Sequence, residues 1–112
     1  MSGNGEPEDK SSNRKRLIRK TVKFNGHKLL ALYDPGANAS YISHEIAKKL
    51  DIETENVKTP YQLTTGEGTM FTYNNEWVTK RTKTYDLQIE TYLEKIQLDI
   101  TSTNDEIVLE RD

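Results

Sequence analysis

"LYDPGANASYI", residues 32–42, closes an apolar run with an aspartate, a proline, a glycine and a succession of small residues. The run before it carries Leu29, Leu30, Ala31, Leu32 and Tyr33, the pattern of a buried strand, so Asp34 stands where that strand leaves the core. Gly36 lets backbone approach closely, and Ala37 leaves room for a facing loop. The same residues also read as an ordinary β-turn, because Pro35 sets φ and Gly36 tolerates unusual values. The chain on either side decides which reading applies.

Upstream, "RLIRKTVKF" (16–24) puts Ile18, Val22 and Phe24 on one side at strand spacing, and "HKLLALY" (27–33) follows as a nearly continuous apolar run. Asn25-Gly26 between them suits a type I′ turn, since both residues tolerate positive φ. A tight antiparallel hairpin is predicted, with Asp34 at the end of its second strand. Downstream, Ile42, Ile46, Ala47 and Leu50 recur at helical spacing, Glu45 and Lys49 stand four apart, and Ser40 or Ser43 is available as a cap. A short amphipathic helix over 43–50 is expected.

"YQLTTGEGTMFTY" (61–73) alternates around Gly66-Glu67-Gly68, which predicts a mobile hairpin with its tip at the glycines. "TYDLQIETYLEKIQLDI" (84–100) predicts two strands, one carrying Tyr85, Leu87 and Ile89, the next Ile96, Leu98 and Ile100. "EIVLERD" (106–112) adds a last apolar run, Ile107 to Leu109. Many short strands with one short helix make an all-β, barrel-like domain.

The whole chain is 112 residues, enough for one core. Residues 1–15, "MSGNGEPEDKSSNRK", have the composition of a disordered tail, which leaves 16–112 as the folded domain. With 33% apolar and 30% charged residues that core is small, so dimerisation is a natural remedy. A net charge of -2 gives no reason to expect nucleic acid or an anionic membrane as the main partner. No cysteine is present, which excludes disulfides and thiolate nucleophiles, and no carboxylate cluster surrounds His27 or His44, so no metal site is expected. No stretch approaches the roughly 20 apolar residues of a membrane span, and a soluble, cytosolic protein is expected. The basic "NRKRLIRK" (13–20) reads as a solvated strand edge that deters edge-to-edge pairing, with contact to RNA as the alternative. Trp77 reads as a core or edge anchor without a site role.

One aspartate achieves little alone. Two brought face to face across a two-fold axis share a proton, because two adjacent carboxylates cannot both ionise cheaply. One is then an acid and the other a base, and together they activate water with neither metal nor covalent intermediate.

On these residues the chain resembles the retropepsins, the single-domain, dimeric aspartic proteases of retroviruses and LTR retrotransposons. The resemblance covers 17–112 and rests on Leu32, Asp34, Gly36, Ala37, Tyr41, Ile42 and Ser43, on the glycine-tipped segment, and on "DEIVLERD" (105–112). The extended, serine-containing first motif is closer to gypsy-type retrotransposons than to retroviruses. The resemblance implies a closed barrel with a flap hairpin, working as a homodimer and without cofactor. Asp34 would be the catalytic residue, Pro35, Gly36 and Ala37 the active-site loop, and Thr65, Gly66, Glu67, Gly68 and Thr69 the flap over the substrate. It further implies an endopeptidase that processes a Gag-Pol polyprotein in the cytoplasm, within a virus-like particle. Nucleic acid would be met only through neighbouring polyprotein domains, and no membrane is involved.

Three departures accompany the resemblance. Pro35 replaces the family's Ser or Thr, whose hydroxyl bonds across the dimer, and Glu110 replaces a glycine that packs close to the active-site strands. The sequence stops at Asp112, so the family's closing helix and terminal strand are expected to be missing or truncated. The departures support an alternative reading, a catalytically impaired module kept for dimerisation or peptide binding. A third reading, outside the family, is a small β-domain in which Asp-Pro-Gly is only a turn.

Overall fold

The computed structural model describes residues 17–63 and 76–112. The expected tail, 1–15, and the expected flap residues, 65–69, lie outside the described residues.

Strand β1 (Ile18–Phe24) pairs antiparallel with β2 (His27–Tyr33), with Val22 opposite Leu29 and Ile18 opposite Tyr33. Asn25 and Gly26 between them take φ of 52° and 81°, as the turn reading requires. Then follow β3 (Tyr41–Ser43), α1 (His44–Lys49), β4 (Thr54–Gln62), β5 (Trp77–Thr82), β6 (Tyr85–Ile89), β7 (Tyr92–Ile96), β8 (Asp99–Thr101) and β9 (Ile107–Leu109). The Ser43 side chain caps α1 by accepting from the amides of Glu45 and Ile46. Ser40, the other candidate cap, is used elsewhere.

The nine strands among the described residues join one sheet in the order β4-β5-β8-β3-β9-β2-β1-β6-β7. The all-β class with a single short helix among the described residues is as expected. The sheet itself does not close, since β4 and β7 form its two ends. Hydrophobic cores pack on both of its faces instead. Successive side chains of β2 point to opposite sides, so Leu29, Ala31 and Tyr33 enter one core and Leu32 the other. The larger core gathers Val22, Phe24, Ile42, Leu87, Ile107 and Leu109 and takes Ala47 of α1. The smaller one packs Leu32, Tyr41, Val57, Leu63, Val78 and Val108 on the opposite face.

Two further differences have local causes. The strand expected to carry Ile96, Leu98 and Ile100 is broken: Ile96 ends β7 and Ile100 belongs to β8. Leu98 between them donates its amide to Thr82 Oγ1 at 3.0 Å and accepts from the Thr82 amide at 2.8 Å, which swings the chain from β6 to β5. Strand β4 has no clear sequence signal because only Val57 along it is buried, and its pairing with β5 shifts register between Asn56 and Tyr61. Trp77 is 58% exposed, not a core anchor.

Because an added Cβ at Gly26 meets no atom, the cost of a side chain there is conformational only. Gly26→Val is expected to lower stability by about 1–2 kcal/mol, read from the midpoint of urea unfolding.

Candidate active site

Strands β2 and β3 follow one another in sequence but are not neighbours, because β9 lies between them. It runs parallel to β2 and antiparallel to β3. Residues 34–40 must therefore bridge two strand spacings, about 10 Å, across the end of β9. Each end of this bridge is tied down. The Asp34 amide donates to Leu109 O at 2.8 Å, extending the β2–β9 ladder by one step. At the other end Ser40 O accepts from the Asp99 amide at 3.0 Å, and Ser40 Oγ accepts from the Glu110 amide at 2.9 Å.

Within the bridge the Ala37 amide donates to Asp34 O at 3.1 Å, closing a turn with Pro35 and Gly36 at its centre. Gly36 does not take positive φ, so the turn is of type I character, in which proline is favoured at the first central position. The Gly36 amide also donates to Asp34 Oδ1 at 3.0 Å, and a Cβ on Gly36 would stand 3.4 Å from that oxygen. The backbone amide of residue 36 is thus what holds the carboxylate, and a side chain there would lie in contact with it. Asp34 is half-buried. The ordinary turn and the presented carboxylate are the same structure, and Pro35 fits it while supplying no hydroxyl.

Beneath the bridge Leu32, Tyr41 and Val108 are fully buried, with Ala37 and Ala39 packed against them. The Tyr61 hydroxyl, on β4, donates to Asp99 Oδ2 and bonds with Tyr41. Burial, then the hydrogen bond to the Asp99 anion, pushes the Tyr61 phenol far up, and burial also raises Tyr41, so both stay neutral. This pair joins β4 to the strand that grips Ser40. No sequence pattern marks it, since a tyrosine and an aspartate 38 residues apart carry no spacing signal.

The candidate flap residues Thr65, Gly66, Glu67, Gly68 and Thr69 lie outside the described residues, but the strands that enter and leave that segment do not. Gln62 pairs with Trp77 and Tyr61 with Val78, and the Leu63 amide donates to Glu76 O at 2.8 Å. The Glu76 carboxylate in turn accepts from the Ser102 amide at 3.0 Å and lies 3.3 Å from His44 Nε2. It pins the root of the hairpin to β8 and α1.

Glu110 is exposed, with its charge directed to solvent in the single chain. Arg111 does not serve it; both its terminal nitrogens reach the two oxygens of Glu94 at 3.0 Å, a bidentate pair that ties the chain after β9 to β7.

The family model of the PEG10/RTL1 protease domain matches residues 30–112. The chain belongs to this family. These are retrotransposon-derived, gypsy-like aspartic proteases, and the matched span contains Asp34, the bridge, the hairpin stem and the terminal "ERD". Among solved structures, the protease of EIAV in complex with the inhibitor HBY-793 is similar in fold, with a TM-score of 0.56 at 18% identity over 87% of this chain and 84% of that one. No curated protein matches the chain. The protease domain is therefore retropepsin-like in fold.

The hydrogen bonds from Arg111 hold the Glu94 carboxyl below the usual carboxylate range. Because its folded pKa lies below the unfolded one, its stabilisation is present above the unfolded value and is lost as pH falls through the folded value. Glu94→Gln is expected to destabilise the fold by about 1–3 kcal/mol at pH 7. Urea unfolding of both proteins across pH 7 to 2 should show the gap shrink through the carboxylate range, and a pH-independent gap would rule the ion pair out as its source.

Proposed function

We propose that the protease domain is an aspartic endopeptidase that works as a homodimer, with Asp34 of two copies forming the dyad. The observation that carries this reading is the anchoring of Asp34, whose amide is held by Leu109 O and whose carboxylate is held by the Gly36 amide at the end of a buried strand. A carboxylate fixed in this way can meet its symmetry mate in one geometry and share a single proton with it. The ionised member takes a proton from water as the water oxygen attacks the peptide carbonyl. The other member gives its proton to the carbonyl oxygen. As the resulting diol collapses, the ionised member takes a proton from one of its hydroxyls, the protonated member gives its proton to the departing amine, the C–N bond breaks, and the pair is again singly protonated.

The substrate is an extended segment of a Gag-Pol-type polyprotein, bound as an added strand through main-chain hydrogen bonds, with side-chain pockets giving the selectivity. Thr65, Gly66, Glu67, Gly68 and Thr69 close over it. A second reading, a dimerising or peptide-binding module without turnover, is favoured by Pro35, which leaves no hydroxyl to lock the two loops.

With a polyprotein-derived peptide at mildly acidic pH, cleavage is expected to rise with the square of protein concentration while monomer dominates. Asp34→Asn should reduce the rate by about 10³-fold, and cleavage that survives it would refute the dyad. Pro35→Thr is expected to raise kcat/KM. Peptide binding without turnover in the natural chain, with turnover gained in Pro35→Thr, would favour the second reading.

A further inference from the structure

A hollow of about 280 Å³ lies between α1 and the start of β5, and none of residues 34–40 lines it. Its apolar lining comes from Ala47, Ile52 and Ile100, each nearly buried, and from Trp77, which is 58% exposed. That volume suits one large apolar side chain with its adjoining backbone rather than a drug-sized ligand. An exposed tryptophan on the wall of an apolar hollow is the kind of residue that dominates binding when a partner covers it.

The rim carries one sign of charge. His44, Lys48 and Lys80 line the hollow, and no acidic side chain does. Four basic groups elsewhere are matched, Arg19 with Asp105, Lys83 with Glu55, Lys95 with Asp86 and Arg111 with Glu94. Lys48 and Lys80 have no ion-pair partner among the described residues. His44 has one, the Glu76 carboxylate behind it. Thr54, also in the lining, begins β4, an end strand whose outer backbone groups have no strand neighbour among the described residues. An extended chain laid there finds main-chain donors and acceptors as well as the hollow.

From the cationic rim, the apolar floor and the open strand edge together, we infer that this hollow is a docking site for an acidic peptide segment that inserts one apolar side chain. The inference is independent of the dyad. A nucleic acid fits less well, because two lysines and a partnered histidine are a small footprint on a chain of net charge -2.

Trp77 is the only tryptophan in the chain, so its emission reports on the site directly. The full chain should be titrated with the capped peptide Asp-Glu-Leu-Glu-Asp and, in parallel, with Lys-Lys-Leu-Lys-Lys, Asp-Glu-Ser-Glu-Asp and a short single-stranded DNA. The acidic leucine peptide should give a saturable change in emission that weakens as salt is raised. The serine peptide should bind more weakly, and the basic peptide should give no change. The double variant Lys48→Glu/Lys80→Glu should lose at least about tenfold in affinity, since like charges then face each other, while its circular dichroism remains that of the natural chain. The proposal is overturned if the acidic leucine peptide gives no saturable change. It is equally overturned if the basic peptide or the DNA binds as well, or if the folded double variant binds unchanged.

Discussion

The hydrogen bond from the Asp34 amide to Leu109 O expresses the constraint on which the site depends: β9 is inserted between β2 and β3. Once that insertion is made, the chain from β2 to β3 has no choice but to arch over the end of β9, and the arch must begin at the first residue past the buried run. That residue is an aspartate. The insertion also brings the C-terminal "IVLER" against the bridge, so that Glu110, near the end of the sequence, donates its amide to Ser40 Oγ. A site assembled from distant segments is thus held at one end by a main-chain bond, Asp34 to Leu109, and at the other by the Ser40 hydroxyl and carbonyl.

The alternation of β2 makes this arrangement affordable to a small chain. Ala31 and Tyr33 face the core that takes the helix, and Leu32 faces the core beneath the bridge, so one strand serves both. Sealing both faces of the central strands removes the need for the two end strands to meet. The sheet can therefore stay open at β4 and β7 and still hold Asp34 rigidly. The open ends are not equivalent, since β4 runs beside the hollow with the unpaired lysines and the exposed Trp77.

The departures from the retropepsin pattern separate into local and long-range effects. Pro35 suits the turn it occupies, so its consequence is the missing hydroxyl and not a distorted backbone. Glu110 is exposed and its amide is used, so its charge carries no burial penalty within one chain. Arg111, two residues after β9, is committed to Glu94 and anchors the end of the described chain to β7.

Local chemistry settled what was legible from the amino-acid order. Asn25-Gly26 specifies its turn, the apolar period of 46–50 with Ser43 specifies the helix, and the run 29–33 ending in Asp-Pro-Gly specifies a strand that delivers a carboxylate. Each is decided by residues within a few positions of one another. The split of 92–101 into two strands, the pairing of β4, the Tyr61–Asp99 bond and the hub at Glu76 were not legible, because each depends on partners beyond the reach of any local motif, as with Leu98 and Thr82, or Glu76 and Ser102. Ser40 illustrates the boundary. Its sequence context offers a helix cap, but the insertion of β9 brings Glu110 within reach, and a partner 70 residues away takes the hydroxyl that a local motif would have used.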